Sequence, residues 1–340
     1  VSFFFLMTRR PPRSTLVPST TLFRSNDVRI VGGAGAIDIS STAGSFTLAA
    51  GDQILAASGN IAIDAVGPGN VTIGGTVSTG GTGDVTLQSA GLLTVNGGVS
   101  SGSGDLALTG GTGVVHDLNG DLTTTLTGTI AVTATANAVT MADGTVYGTG
   151  SGAVTVSAGT NLVLGQIATT SSAITVTAGT GGVSGAISDG TAAEAANLVT
   201  SGTATLAARD GIGSAGGAAN IDTTVGTLVA TNSTSGNIVV LEASDLVIGG
   251  AGVRTQGGNG NIDVRTTAGL LTVNAGAVVS ANGLGDVTLQ AAGLLTINGG
   301  VSSGSGDLAL TGGTGVVHDP NGDLTTTLTG TIAVTATANA

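Results

Sequence analysis

The 340-residue chain contains no cysteine, no tryptophan and no lysine. Disulfides and thiolate metal sites are therefore excluded. Its basic residues are eight arginines against 20 acids, a formal charge of −12, and only 8% of residues are charged. Four of the arginines (Arg9, Arg10, Arg13, Arg24) lie in the first 25 residues, so the rest carries −16 (4 − 20). An acidic chain without a basic stripe is repelled by phosphate and anionic lipid, which argues against nucleic acid as a partner. The only apolar run of note, Phe3 to Met7, is too short to cross a bilayer, so no membrane insertion is expected. Aromatics are also scarce: after residue 25 only Phe46 and Tyr147 remain. Disorder would need low hydrophobicity and high charge. This chain is 41% hydrophobic with a mean hydropathy of +0.47 and is able to bury a core.

What the chain has instead is repetition. Gly83 to Ala138 return as Gly285 to Ala340, an offset of 202 (285 − 83), with changes only at Ser89/Ala291, Val95/Ile297 and Leu118/Pro320. Within each copy a shorter beat recurs as GDVTL at Gly83, GDLAL at Gly104 and GTIAV at Gly128, so coil starts fall 21 (104 − 83) and 24 (128 − 104) residues apart. Each beat is a turn followed by apolar, polar, apolar, the alternation of a strand with one buried face. Val, Ile and Thr predominate, as suits a pleated surface. Strands this short are unstable as isolated hairpins, whereas stacking coil on coil lets small side chains form ladders without aromatics. The expected fold is all-β, a parallel β-helix (solenoid) of roughly 20–25-residue coils. About fourteen coils at ~4.8 Å would give a rod of roughly 65 Å. Gly followed by Asn or Asp is expected to supply the positive φ that the corners require.

Two segments depart from the beat. Residues 1–25 hold four of the five phenylalanines and three of the five prolines. Their arginines follow the apolar run and no small-residue cleavage site comes next, unlike a signal peptide. The segment resembles translated sequencing-adapter read-through, which implies a non-native, disordered leader, a missing N-terminus and no visible export signal. The array proper then spans residues 26–340, and its last residue, Ala340, corresponds to Ala138, after which the first copy runs on as VTMADGTVYG, so the chain is expected to stop inside a repeat. The second departure is the alanine-rich stretch 189–225, expected to form an irregular coil with an excursion.

The string ARDGIGSAGGAANIDTTVGTLVATNSTSGNIVVLEASDLVIG, with the recurring GDVTL, GLLTV and GNIDV units, resembles the repeat regions of filamentous-haemagglutinin-like bacterial exoproteins and related autotransporter adhesins. The resemblance covers residues 26–340 and implies export and display, or release, as a β-helical fibre for cell adhesion. It implies an extracellular or outer-surface location and a host or neighbouring-cell receptor or glycan as partner. The expected role is a stalk. The alternative is a carbohydrate- or biofilm-matrix-binding surface, which would place an aromatic or acidic patch near Tyr147 or within 189–225; a polysaccharide-active enzyme ranks third. Strand edges at the ends of a solenoid also invite end-to-end association.

Individual residues give little chemistry. His116 and His318 occupy equivalent turns 202 residues apart (318 − 116), too far to form one site, and are read as structural. Asp117, Asn119 and Asp121, with Asp319, Asn321 and Asp323, resemble the first half of a calcium loop. Position six is Leu122 or Leu324 where glycine is needed, and position twelve is Gly128 or Gly330 where glutamate is needed. A turn closed by Asp and Asn side chains explains the same letters. No lysine follows any glycine-rich string, so none is a phosphate loop. Arg209, Arg254 and Arg265 are scattered, unlike the clustered cations that stabilise developing negative charge on an acidic polysaccharide. Paired threonines (Thr133/Thr135, Thr335/Thr337) suit an exposed strand better than an ice-binding face. No catalytic, cofactor-binding or metal-ligating residue, and no cofactor, is assigned.

Overall fold

The computed structural model describes residues 27–30, 32–192, 195–214 and 219–337. The expected leader, 1–25, lies outside the described residues. The described chain is all-β and winds as a parallel β-solenoid of about 13 turns. It divides into two compact units, Val1–Thr170 and Ser171–Ala340.

Each coil of the first unit contributes one strand to each of three parallel sheets. The first sheet stacks the five-residue strands Ile37–Ser41, Ile61–Ala65, Val85–Ser89, Leu106–Gly110, Ile130–Ala134 and Val154–Ala158. The second stacks short strands from Phe46–Leu48 through Gly113–His116 and Val139–Met141 to Leu162–Leu164. The third runs from Asp27–Ile30 through Thr76–Thr79, Val99–Ser101 and Leu122–Thr124 to Gln166–Ala168. In-register stacking turns the sequence beat into ladders. Ile61, Val85, Leu106, Ile130 and Val154 lie above one another, each at most 1% exposed. A core of such ladders is only a few side chains across, which is why β-branched residues and leucine fill it.

The turn glycines show the expected conformation only in part: Gly51 and Gly258, before Asp52 and Asn259, have φ of +86° and +65°. Of Gly59, Gly69, Gly83, Gly236 and Gly260, each followed by Asn or Asp, only Gly236 has positive φ (+86°). The others are needed for close approach. A Cβ on Gly59 would strike the carbonyl of Gly35, one on Gly83 that of Gly59, one on Gly104 that of Gly83, and one on Gly128 that of Gly104, all closer than real Cβ contacts come. The second unit repeats the column through Gly236, Gly260, Gly285, Gly306 and Gly330. Buried hydroxyls run beside it. Thr79 Oγ1 donates to Gly59 O and Ser101 Oγ to Gly83 O, each at 2.7 Å, and Ser303 Oγ to Gly285 O at 2.8 Å.

This column makes a sharp contrast testable by urea denaturation. Gly104→Ala should cost about 1–3 kcal/mol, because the obstructing atom is backbone of the neighbouring coil. Gly98 has nothing within 4 Å of its would-be Cβ. Gly98→Ala should be neutral or stabilise by about 0.4–1 kcal/mol through the unfolded chain.

The second unit contains a slip of the winding. The five-residue strand Ile174–Ala178 pairs with the end of Leu198–Ala208, which pairs with the end of Ile221–Asn232. That sheet continues through the end of Leu246–Thr255 to Val278–Ala281, Gly300–Ser303 and Leu324–Thr326. The last two carry the sequence of Val99–Ser101 and Leu122–Thr124, strands that in the first unit belong to a different sheet from the five-residue ones. The five-residue strands of the later coils (Ile238–Glu242, Ile262–Thr266, Val287–Ala291, Leu308–Gly312, Ile332–Ala336) instead form the neighbouring sheet. That sheet is prefigured by the bridges Ile187↔Ile212 and Ile212↔Ile238.

The stretch 189–225, expected to be irregular, is where the change occurs. Ile174 and its partner Ala204 are 30 residues apart (204 − 174), against 24 for Ala204 and Leu228 (228 − 204). Three long strands pair along both of their ends, with the pairing interrupted by register shifts between Thr200 and Thr203 and between Leu228 and Ala230. No helical turn occurs among the described residues of this stretch.

Candidate functional site

His116 closes a second-sheet strand and points into the core of the first unit, 1% exposed. Its Nδ1 lies 2.7 Å from the carbonyl of Gly120, so that nitrogen carries the proton and donates. Its ring meets Tyr147 edge-on, with centroids 5.0 Å apart and planes at 66°. Nε2 of His116 and the hydroxyl of Tyr147 are buried with no hydrogen-bond partner among the described residues. Desolvation lowers the His116 pKa to about 4, outweighing the opposing bond to Gly120, and burial pushes the Tyr147 phenol well up. Tyr147 is 0% exposed, so the aromatic patch considered for a binding surface is core packing instead. In the second copy His318 is exposed, and its Nε2 meets the carbonyl of Gly322.

The two calcium-loop-like strings are turns whose carboxylates bind backbone. Asp117 Oδ1 accepts from Leu118 N at 2.7 Å and Asp121 Oδ1 from Val146 N, one coil on, at 2.8 Å. Asp319 Oδ1 accepts from Asn321 N at 2.9 Å and Asn321 Nδ2 at 2.8 Å. Among the described residues no three His, Asp or Glu side chains are grouped to hold a metal ion. The arginines are also apart: Arg29 donates to Gln53 Oε1 at 2.6 Å, and Arg265 pairs with Asp263 at 2.6 Å on the surface.

Exposed Asn and Asp side chains at the coil corners form a second kind of ladder. Asn60 Oδ1 accepts from Asp84 N, Asp84 Oδ1 from Asp105 N, and Asp105 Oδ1 from Thr129 N, at 3.0, 2.9 and 2.7 Å. In the other copy Asp307 Oδ1 accepts from Thr331 N and Oγ1, and these bonds hold its carboxyl below the ordinary range. An Asn or Asp after a ladder glycine is thus a clamp on the next coil.

The slip in the second unit gathers the remaining chemistry. A cleft of about 350 Å³ is lined there by Ile187, Ser188, Asp189, Asp210, Ser214 and Asn237, among others. Asp210 Oδ2 accepts from Gly185 N at 2.8 Å, and Asp189 Oδ1 from Thr191 N and Oγ1 and Asn197 Nδ2 at 2.6–2.8 Å. Asn197 Oδ1 in turn accepts from Asp222 N at 2.9 Å. Elsewhere in the second unit Glu242 is 0% exposed. Its Oε2 accepts from Thr223 Oγ1 (2.8 Å) and Val225 N (3.0 Å), and its Oε1 from Ser244 N (3.0 Å) and Oγ (2.7 Å).

Sequence reasoning missed Glu242, although a signal was present. It is the fifth residue of a strand whose counterparts end in Ala65, Ser89, Gly110, Ala134, Ala158, Thr266 and Ala291, all small and inward-facing. Chemically the arrangement offers carboxylate acceptors on an irregular coil, Asp189 and Asp210 among the residues lining the cleft. The fold and this coil define a parallel β-solenoid with one structurally specialised turn. The chain matches no protein-family model, no curated protein and no solved structure.

Proposed function

We propose that this chain is a structural stalk segment of a large bacterial adhesin, displayed on the outer surface or secreted, that acts as a spacer and not as an enzyme. The supporting observation is the in-register stacking of like coil on like coil, with outward rows of small polar side chains. Thr47, Thr72 and Thr94 stand in one such row, and Ser100 Oγ donates to Ser78 Oγ at 2.8 Å in another. Each coil adds one strand spacing of about 4.8 Å to its unit, so reach is set by coil number.

The test is an in-register deletion. Removing residues 61–153 joins Asn60 to Val154, whose strand follows Ile61–Ala65 by four coils in the same sheet. Carried between a surface anchor and a reporter head, the shortened chain should bring the head about 19 Å nearer the surface and leave head binding intact. Loss of adhesion on substituting the outward threonines at unchanged reach would instead identify a binding face. The cleft at Asp189 and Asp210 favours that second reading, a carbohydrate- or matrix-binding surface, because sugar hydroxyls donate to such carboxylates; it predicts that Asp210→Ala weakens glycan binding.

A further inference from the structure

Of the four arginines beyond residue 25, Arg29 and Arg265 have side-chain acceptors in Gln53 and Asp263. Arg209 and Arg254 are different. Each holds its Nε buried with no hydrogen-bond partner, and neither joins an ion pair among the described residues. Two unneutralised guanidiniums stand out in a chain with 20 acids to draw on. The winding puts both on one side of the second unit. Thr177, Ala207, Thr231 and Arg254 stack in register, one per coil, at half-buried outward positions of one sheet. Arg209 follows Ala207 by two residues, so along the stack it stands two strand spacings, about 10 Å, from Arg254.

The surroundings of Arg209 hold it in place. Its N–H donates to Gly185 O, and its carbonyl accepts from Thr234 N and Ser235 N, each at 2.9 Å. Its stem lies against Gly179, where a Cβ would come within 2.7 Å of Cγ and Cδ. The side chain lines a groove of about 240 Å³ together with Ala178, Ala207 and Ala208 and the hydroxyl residues Thr177, Thr231 and Ser233. The adjacent acid is engaged elsewhere: Asp210 Oδ2 accepts from Gly185 N and Oδ1 from Ser235 Oγ, and Asp210 lines the other cleft.

We propose that this face binds a carboxylated polysaccharide, one hexuronate carboxylate on Arg209 and a second carboxylate of the same glycan on Arg254. A guanidinium presents parallel N–H donors that match the two oxygens of a carboxylate, so each arginine supplies orientation as well as charge. Between them the hydroxyls of Thr177, Thr231 and Ser233 exchange hydrogen bonds with sugar hydroxyls, and the small alanine side chains keep the groove open. An acidic peptide is the poorer match. The strands beneath the row are paired on both sides, Ala207 with Thr177 and with Thr231, so no backbone edge is free for strand addition. The proposal stands beside either reading of the chain's function, because it uses a different groove from the Asp189–Asp210 cleft and the opposite charge.

The test is calorimetric titration of the full chain with hexagalacturonate. Saturable binding that weakens as salt is raised is expected. Arg209→Gln and Arg254→Gln should each weaken it by roughly tenfold or more, the loss of a charge-assisted hydrogen-bonded pair. Arg209→Lys, which keeps the charge and loses the fork, should fall between. Arg265→Gln should change nothing, since Arg265 already pairs with Asp263. Asp210→Ala should also leave hexagalacturonate binding intact, which separates this site from the acidic cleft. The proposal is overturned if the wild-type chain does not bind, or if the carboxyl-reduced hexasaccharide or hexaglutamate binds as tightly. It is equally overturned if the Arg209→Gln and Arg254→Gln chains bind like the wild type. Hydrogen-exchange protection of Ile238–Glu242 reports that each variant is folded, and the two ligand comparisons need no variant at all.

Discussion

Glu242→Leu should destabilise the second unit by about 3–5 kcal/mol, measured by urea denaturation and by hydrogen exchange at Val225 and Ser244. The carboxylate is fully buried and accepts four hydrogen bonds. Leucine fills a similar volume but accepts nothing, and each buried donor left without a partner costs about 1–3 kcal/mol. Val225 N and the Thr223 hydroxyl sit inside the winding with no route to water, being 2% and 1% exposed. Glu242→Gln keeps one acceptor oxygen but turns an amide donor toward either Val225 N or Ser244 N, so an intermediate loss is expected. The bonds also tie Ile221–Asn232 to Ile238–Glu242, so exchange should quicken first around Thr223–Val225. A loss below about 1 kcal/mol, the size of a surface change, would show that the carboxylate does not hold the slipped coil together.

Acidification should weaken the first unit through His116. The imidazole is neutral in the core, with its pKa lowered from 6.5 to about 4 by desolvation. A group whose folded-state pKa lies below its unfolded value binds more protons when unfolded, so stability falls as pH falls. The contribution is intact above about pH 6.5, is reduced by about 2 kcal/mol at pH 5, and levels off near pH 4 at about 3 kcal/mol. The facing groups are the Tyr147 ring, which offers no charge, and the Gly120 carbonyl, which accepts from Nδ1 but only partly offsets burial. His116→Leu should flatten the urea midpoint between pH 7 and pH 5 even if its value at pH 7 is lower. A His116→Leu variant that keeps the slope would assign the acid sensitivity to carboxylates instead.

The repeat made the architecture readable because coil stacking converts sequence period directly into contact. GDVTL, GDLAL and GTIAV name the residues that lie over one another: Val85, Leu106 and Ile130 form one ladder, as the beat implies. The purpose of the glycines was not readable. A glycine before Asn or Asp suggests positive φ equally well, and only the stacked backbone shows Gly83 pressed against the carbonyl of Gly59. For the two histidines, identical flanking sequence conceals that one is core and the other exposed. Burial there depends on whether another coil follows. The burial of Tyr147 was open for a related reason: only the alternative binding reading required an aromatic patch near it, and the inward position of its strand is seen only in the stacked coils. The polar bonds of this region were visible only as loss of rhythm, since Asn197 meets Asp222 and Glu242 meets Thr223 through coils that the beat does not index.

The slip in the second unit also bears on how a partner would encounter this surface. Outward residues of the five-residue strands, such as Thr175 and Thr177 early on and Asp263 and Arg265 later, occupy like places in the sequence pattern but stand on neighbouring sheets of the unit. A partner tracking one side of the winding would read two different texts in succession, with the change of text falling beside the Asp189–Asp210 cleft. Compass bearing around the coil, and not position within the repeat, is therefore the coordinate in which any epitope on this unit is written.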